Sequence, residues 1–283
     1  LKERESRVWF LMEATGVYNQ ELAYYLVGEG EQVSIQLANK VKNFSRSLNT
    51  KSKTDLMDAE VIAQLGLERK VAAWKPPSDK MRQIRSLGRE YSELREKRSR
   101  IKNQLHALEK AYQTSPKILQ RHQRQKAFYT DLMEEVEVEL KMIIQEDEFL
   151  REKMRRLKTI PGVGFMTLII VIGETQGFSL IRNSRQMVSY AGLDVVEKQS
   201  GKSRGKSHIS KKGNRFIRRA LFMPSLCALK HNEPLKDFYK RLAERKPVKK
   251  IAVTAVSRKL LILTYTLWKN DTTFDPNYRS KAA

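Results

Sequence analysis

The sequence has a single cysteine, Cys227, in 283 residues, so no disulfide can form within the chain and a reducing compartment fits. Histidine is nearly as scarce: His106, His122, His208 and His231 are scattered without metal-ligand spacing, and a zinc site is not expected. Long hydrophobic runs are also missing. The longest, MTLIIVIG, is too short to span a bilayer, which predicts a soluble cytoplasmic protein with no membrane partner. The opening residues LKERESRVWF lack the apolar core and cleavage site of a signal peptide. They lack a starting methionine too, so a fragment is expected. Acidic residues are outnumbered: 32 Asp and Glu face 55 Lys and Arg, a formal net charge of +23. That excess goes beyond what solubility requires and suits a polyanion, with nucleic acid the first choice and a membrane surface the second.

Leu, Ile, Val, Phe and Met recur along the whole chain, enough for a substantial core in one or two domains. Up to about Arg69 the signals alternate. RVWFLM reads as a strand, YNQELAYYLVGEG as a helix stopped by glycine, and QVSIQL as a second strand. Another helix is expected from Thr54, an N-cap for DLMDAEVIAQLGLE. The pattern is α/β. Paired prolines in WKPPSD then mark a boundary. Beyond it, apolar residues from Met81 to Leu108 and from Val136 to Leu157 keep near-heptad spacing, which predicts a coiled-coil hairpin of two long helices. The first arm is basic and the second acidic, so the positive charge either pairs within the hairpin or contacts nucleic acid.

The third segment opens with IPGVG, Ile160 to Gly164. Such a turn either offers backbone N–H groups to a phosphate, as helix-hairpin-helix modules do, or simply joins two helices tightly. Lys198 to Arg219 then carries nine Lys or Arg and no acid, interleaved with Gly and Ser. A solvated face normally mixes signs, so this one-signed run favours phosphate binding. It is expected to be a loop that turns helical near Lys211. VTAVSRKLLILTYTLWK reads as a core helix.

Three acids stand out. Asp55 and Asp58, three residues apart, share one helical face and can converge on one ion, although acids in a first turn are favoured by the helix dipole alone. Glu13 falls at the C-terminal end of the first strand, where sites gather in α/β units. Carboxylates converging in a basic molecule suit Mg2+, which accepts phosphate as a further ligand. Among the hydroxyls, Ser200 is either a nucleophile or a phosphate donor, and Ser210 is a helix N-cap candidate before it is a nucleophile. Spacing alone does not choose between them.

Taken in order, MEATGVY, KNFSRSLNTKSKTDLMDAEVIA, WKPPS, IPGVG, YAGLD, QSGKSRGKSHISKKGNRFIRRALFMP, FYKRL and VTAVSRKLLILTY resemble the DEDD transposases of bacterial insertion sequences, the bridge-RNA-guided serine recombinases. The resemblance covers nearly the whole chain. It implies a RuvC-like domain of RNase H fold over residues 1–73, truncated before its first strand and so without the family's first aspartate. A linker and coiled-coil hairpin would occupy 74–158, and a helical transposase domain carrying the serine loop 159–283. It assigns Glu13, Asp55 and Asp58 to the metal-binding carboxylates and Ser200 to the nucleophile. Lys202, Arg204, Lys206, Lys211, Lys212, Arg215, Arg218 and Arg219 are the expected nucleic-acid contacts. The implied activity is DNA cleavage and rejoining through a phosphoserine intermediate with Mg2+, on DNA chosen by a structured non-coding RNA, in a homodimer or homotetramer near the nucleoid. A metal-dependent RuvC-type junction nuclease and a decayed, non-catalytic nucleic-acid-binding protein are the alternatives.

Overall fold

The computed structural model describes residues 8–48, 54–197, 199–200, 203–205, 208–245 and 248–277; for 199, 200, 203 and 204 it describes the backbone. The chain separates into two compact units, Leu1–Pro77 and Ser78–Ala283.

The first unit is α/β. Strands β1 (Trp9–Glu13) and β2 (Gln32–Gln36) pair in parallel, with Trp9 opposite Gln32 and Glu13 opposite Gln36, and helix α1 (Gln20–Gly28) makes the crossover. Ala23, Leu26 and Val33 form the core beneath that crossover. Trp74, in the proline-rich segment, closes it: its N–H donates to the Val33 carbonyl at 2.7 Å and its ring meets Tyr24 edge-on at 5.0 Å. Helix α2 (Ala38–Ser47), which the sequence pattern did not announce, turns Val41 and Phe44 onto Val61 and Leu65 of helix α3 (Asp55–Glu68). Its cap residue, Leu37, offers no side-chain acceptor, so the usual start signal is missing. Helix α3 begins as expected, with the Thr54 side chain accepting from the Met57 N–H at 3.3 Å.

The second unit is helical. Helix α4 (Asp79–Lys110) and helix α5 (Pro116–Gln145) form the expected long hairpin, but the second arm does not continue to Leu157 as one helix. It breaks at Glu146 and Asp147, and helix α6 (Glu148–Leu157) restarts. The Asp147 carboxylate causes the break, because it caps α6 by accepting from the Leu150 N–H at 2.9 Å and pairs with Lys80 at 2.8 Å. Helix α7 (Phe165–Thr175), helix α8 (Ser184–Ala191), helix α9 (Arg215–His231), helix α10 (Glu233–Arg245) and helix α11 (Lys249–Asn270) complete the unit. One hydrophobic core runs through it, from Ile84 and Leu140 of the hairpin to Leu168 of α7, Ile217 of α9 and Leu260 of α11.

Helix α11 is long and apolar enough to cross a membrane, a length the broken apolar runs of the sequence concealed; here Ala252, Val256, Leu260 and Leu261 are fully buried against its neighbours. Pro224 sits inside α9, where it leaves the Ala220 carbonyl without its helical donor, and the Thr167 hydroxyl donates to that oxygen at 3.5 Å instead.

Candidate active site and nucleic-acid interface

Glu13 ends β1 and lines an open groove of about 940 Å³ together with Trp9, Leu11, Ala59, Ile62 and Gly66. The helical wall of the groove begins at Ala59, one turn after Asp55 and next to Asp58. All three acids therefore lie towards the α3–β1 side of the first unit. They do not close around a common point: among the described residues, no three His, Cys, Asp or Glu side chains are grouped so as to hold a metal ion. The donor chemistry nevertheless fits a hard divalent cation, because each residue offers carboxylate oxygens and no described ion pair engages Glu13 or Asp55. Asp55 and Asp58 also occupy the first turn of α3, where the dipole favours them.

The serine lies in the second unit, between α8 and α9. Strand β3 (Val195–Val196) pairs antiparallel with β6 (His208–Ile209), and beyond them β4 (Gln199–Ser200) pairs with β5 (Ser203–Arg204). The segment is thus a β-ribbon with Ser200 near its far end, opposite Ser203. At the neck the two strands of chain are locked together. The Ser210 hydroxyl donates to Asp194 Oδ1 at 2.5 Å and its N–H to the Asp194 carbonyl at 2.9 Å, while Lys211 N–H reaches the Gly192 carbonyl.

Gly192 and Gly213 permit this closure. A Cβ at Gly213 would lie 2.5 Å from both Gly192 N and the Tyr190 carbonyl, and Gly192 takes a left-handed φ of 67°. At Gly213 the close approach is to the Gly192 and Tyr190 backbone, and at Gly192 it is to Arg218 Nη1 and the Gly213 backbone. Ser210 is not the helix cap it resembles. Asn214 is, its side chain accepting from Phe216 and Ile217 N–H groups, and α9 starts at Arg215 rather than near Lys211.

Sequence reasoning passed over Glu174. It lies at the end of α7, only 2% exposed, and its carboxylate accepts from Arg89 Nε at 2.5 Å, Arg89 Nη2 at 3.0 Å and Asn214 Nδ2 at 2.6 Å. Arg85 Nε is 3.6 Å away. Burial pushes this carboxyl up, but the hydrogen bonds from Arg89 and Asn214 and the charges of Arg89 and Arg85 outweigh it and hold the group below the ordinary carboxylate range. The available signal was an acid ending an apolar helix while two arginines, four apart, recur on α4.

Of the expected nucleic-acid contacts, Lys211, Lys212 and Arg215 are exposed at the ribbon's base and the start of α9, with Arg215 over the Phe216 ring at 5.1 Å. Arg218 donates to the Ala191 and Gly213 carbonyls at 2.7 and 2.9 Å, and burial lowers its pKa. Arg219 pairs with Glu96 at 3.0 Å beside a groove of about 400 Å³ lined also by Ser92, Arg95 and Phe222. Lys202, Lys206 and the side chain of Arg204 lie outside the described residues. The IPGVG turn packs tightly: Gly162, at φ 90°, would bring a Cβ to 2.7 Å from Ala228 N of α9.

Two family models match the chain, a DEDD transposase model over residues 1–112 and the transposase IS116/IS110/IS902 family over residues 154–240. The chain belongs to the IS110-type DEDD transposase family. The second match takes in α7, α8, the ribbon with Ser200, and α9; the first takes in Glu13, Asp55 and Asp58. The chain is 29% identical over 277 residues to the pilin gene-inverting protein of Moraxella lacunata, covering 95% of this chain and 83% of the relative. It is 28% identical over the same length to the Moraxella bovis protein of that name. A transposase for insertion sequence element IS1111A, from Coxiella burnetii, is 27% identical over 154 residues, 51% of this chain and 41% of the relative.

Proposed function

We propose that this transposase cleaves and rejoins DNA through a covalent phosphoserine formed at Ser200. The observation that carries the proposal is the ribbon itself. A segment rich in Lys and Arg leaves the helical core between α8 and α9, is closed at its neck by Gly192, Gly213, Asp194 and Ser210, and carries Ser200 near its far end. A serine carried on a segment this rich in Lys and Arg suits attack on a phosphodiester backbone. The Ser200 Oγ–P bond forms as the bond from phosphorus to one deoxyribose oxygen breaks. The serine proton is released, and the departing oxygen takes up a proton to become a free hydroxyl. Attack by a second strand's hydroxyl reverses the step and restores both phosphodiester and serine, so no nucleotide cofactor is consumed. Exposed Lys211, Lys212 and Arg215 hold the backbone at the ribbon's base.

In the same proposal the first unit is RuvC-like, α4 and α5 form a coiled coil, and residues 1–73, 74–158 and 159–283 act as three segments. Glu13, Asp55 and Asp58 are the residues that would hold a divalent cation, with Mg2+ favoured by their oxygen donors. Bound there, the ion would supply positive charge against the negative charge that develops on phosphate oxygens. The relatives named as gene-inverting proteins support recombination of DNA segments as the outcome. Guidance by a structured RNA and assembly as a homodimer or homotetramer complete the proposal; the net charge of +23 supports the first.

The test is a supercoiled plasmid carrying the element's ends, incubated with protein and the element's own non-coding transcript and quenched in detergent. A protein–DNA adduct that forms with the parent chain and disappears in Ser200→Ala, with plasmid binding retained, supports the proposal. Cleavage without an adduct that survives Ser200→Ala identifies a water-using nuclease instead.

A further inference from the structure

The segment between α8 and α9 has to point Ser200 in one direction to be useful, and a two-stranded ribbon is too slight to hold a direction by itself. Its orientation has to come from whatever grips its two ends. Both ends are gripped at a single residue, Glu174, one by its backbone carbonyl and the other by its carboxylate. The ribbon's outgoing end follows α8, where the Tyr190 hydroxyl donates to the Glu174 carbonyl at 2.7 Å. Its returning end is Asn214, whose side chain donates to Glu174 Oε2 at 2.6 Å and whose N–H donates to the Tyr190 carbonyl at 2.7 Å. Asn214 also caps α9 through its other side-chain atom. Glu174 is in turn fixed to the hairpin helix α4 by the two-pronged bond from Arg89. Helix α4 reaches this carboxylate because Gly173 lets the helices touch: a Cβ there would lie 3.0 Å from Arg85 Cα.

We propose that the buried carboxylate of Glu174 is a positioning group: it holds the returning end of the serine ribbon at Asn214 and, through the Asn214 N–H on the Tyr190 carbonyl, the outgoing end, fixing both against α4 and setting where the Ser200 segment points. The role in DNA cleavage rests on the assignment of Ser200; the mechanical link does not. Glu174 touches no substrate in this scheme and acts only through the ribbon. The link also ties the ribbon to the hairpin: any force that shifts α4 along its axis is delivered to Arg89, then to Glu174, then to both ends of the ribbon. Both carboxylate oxygens of Glu174 are bonded and the group is 2% exposed, which makes the link stiff, because a lost bond would leave this buried acceptor short of a donor.

Two variants separate this role from a general loss of stability. Asn214→Ser keeps a good helix cap for α9 but is too short to reach Glu174, so it cuts the link without burying an unpaired charge. Glu174→Gln keeps the shape and weakens the grip on Arg89. In a Cys227→Ala background, spin labels at Val195→Cys on the ribbon and Lys102→Cys on α4 report the distance between them without any substrate. The expected result is a single narrow distance population in the parent and a broadened or displaced one in both variants, with circular dichroism unchanged.

On the plasmid described above, the rate of adduct formation is expected to fall about tenfold or more while half-saturating DNA concentration moves little, because misdirecting the attacking group affects the bond-making step rather than binding. Glu174→Asp, which keeps the charge, is expected to recover part of that rate. An unchanged distance distribution together with an unchanged adduct rate in both variants overturns the proposal. A broadened distribution combined with an adduct that survives Ser200→Ala upholds the clamp and removes the serine assignment, so the two failures are distinguishable.

Discussion

Arg89 of α4 donates both Nε and Nη2 to the carboxylate of Glu174 on α7, joining the long hairpin to the buried heart of the second unit. Glu174 is 2% exposed, whereas the Arg89 side chain is 39% exposed, so the arginine can recover water if its partner is removed and the glutamate cannot. Glu174→Ala is expected to cost about 1–3 kcal/mol, chiefly from Asn214 and Arg89 losing their acceptor. Arg89→Ala strands a buried charge and is expected to cost more. Urea denaturation of the two variants checks the order; equal and negligible losses would contradict it.

The same carboxylate makes the unit acid-sensitive. Its pKa in the folded state lies below the ordinary carboxylate value, so the unfolded chain binds the proton more readily. The stabilisation is present above the unfolded carboxylate pKa of about 4 and is lost as pH falls through the lower folded value. Asp147, lowered by its hydrogen bond from Lys80 and the Leu150 N–H, acts in the same direction. Melting temperature followed from neutral pH into acid is expected to fall less steeply in Glu174→Gln than in the parent; parallel curves would contradict the assignment.

Close helix contact is a precondition for the clamp. With a Cβ at Gly173 set 3.0 Å from Arg85 Cα and 3.1 Å from Arg85 N, α4 and α7 have to separate. Gly173→Ala is therefore expected to destabilise by about 1–3 kcal/mol despite alanine's better helix propensity. Calorimetry decides, and a stabilised variant would mean the helices have slack.

The exposed cations at the ribbon's base predict a salt effect. Lys211→Ala and Lys212→Ala are each expected to reduce the slope of log affinity against log salt by about one for duplex DNA, without changing sequence preference. Arg218→Ala is expected to behave differently, lowering stability first, because its guanidinium serves the Ala191 and Gly213 carbonyls. Filter binding over a salt series, set beside thermal melts, separates the two classes.

Much of the first unit was legible because its signals are local. Strand, glycine-stopped helix and strand follow one another in β1, α1 and β2, and Thr54 announces α3. Helix α2 was not legible, since Leu37 gives no capping signal and only Val41 and Phe44 mark its buried face. The hairpin's period was readable, but its break was not: a capping aspartate inside a continuing heptad pattern looks like one more surface acid.

At the site, Ser200, Glu13, Asp55 and Asp58 stood out through a resemblance and through position. The groups that hold the ribbon did not. Asp194 and Ser210 are sixteen residues apart, and Glu174 lies forty from Asn214, so their pairing exists only once the helices have packed. Ser210 misled because a serine before a basic helical stretch has the chemistry of a cap, while the true cap, Asn214, stands four residues later.

The most direct measurement is of the atom that becomes joined to DNA. The detergent-trapped adduct, digested with nuclease and protease, leaves a nucleotide remnant on one peptide whose position fragmentation mass spectrometry can assign. A remnant on Ser200, in the peptide following Lys198, is the expected result. A remnant on Ser210 or on any tyrosine, or DNA cleaved with no remnant on the protein, would contradict the account.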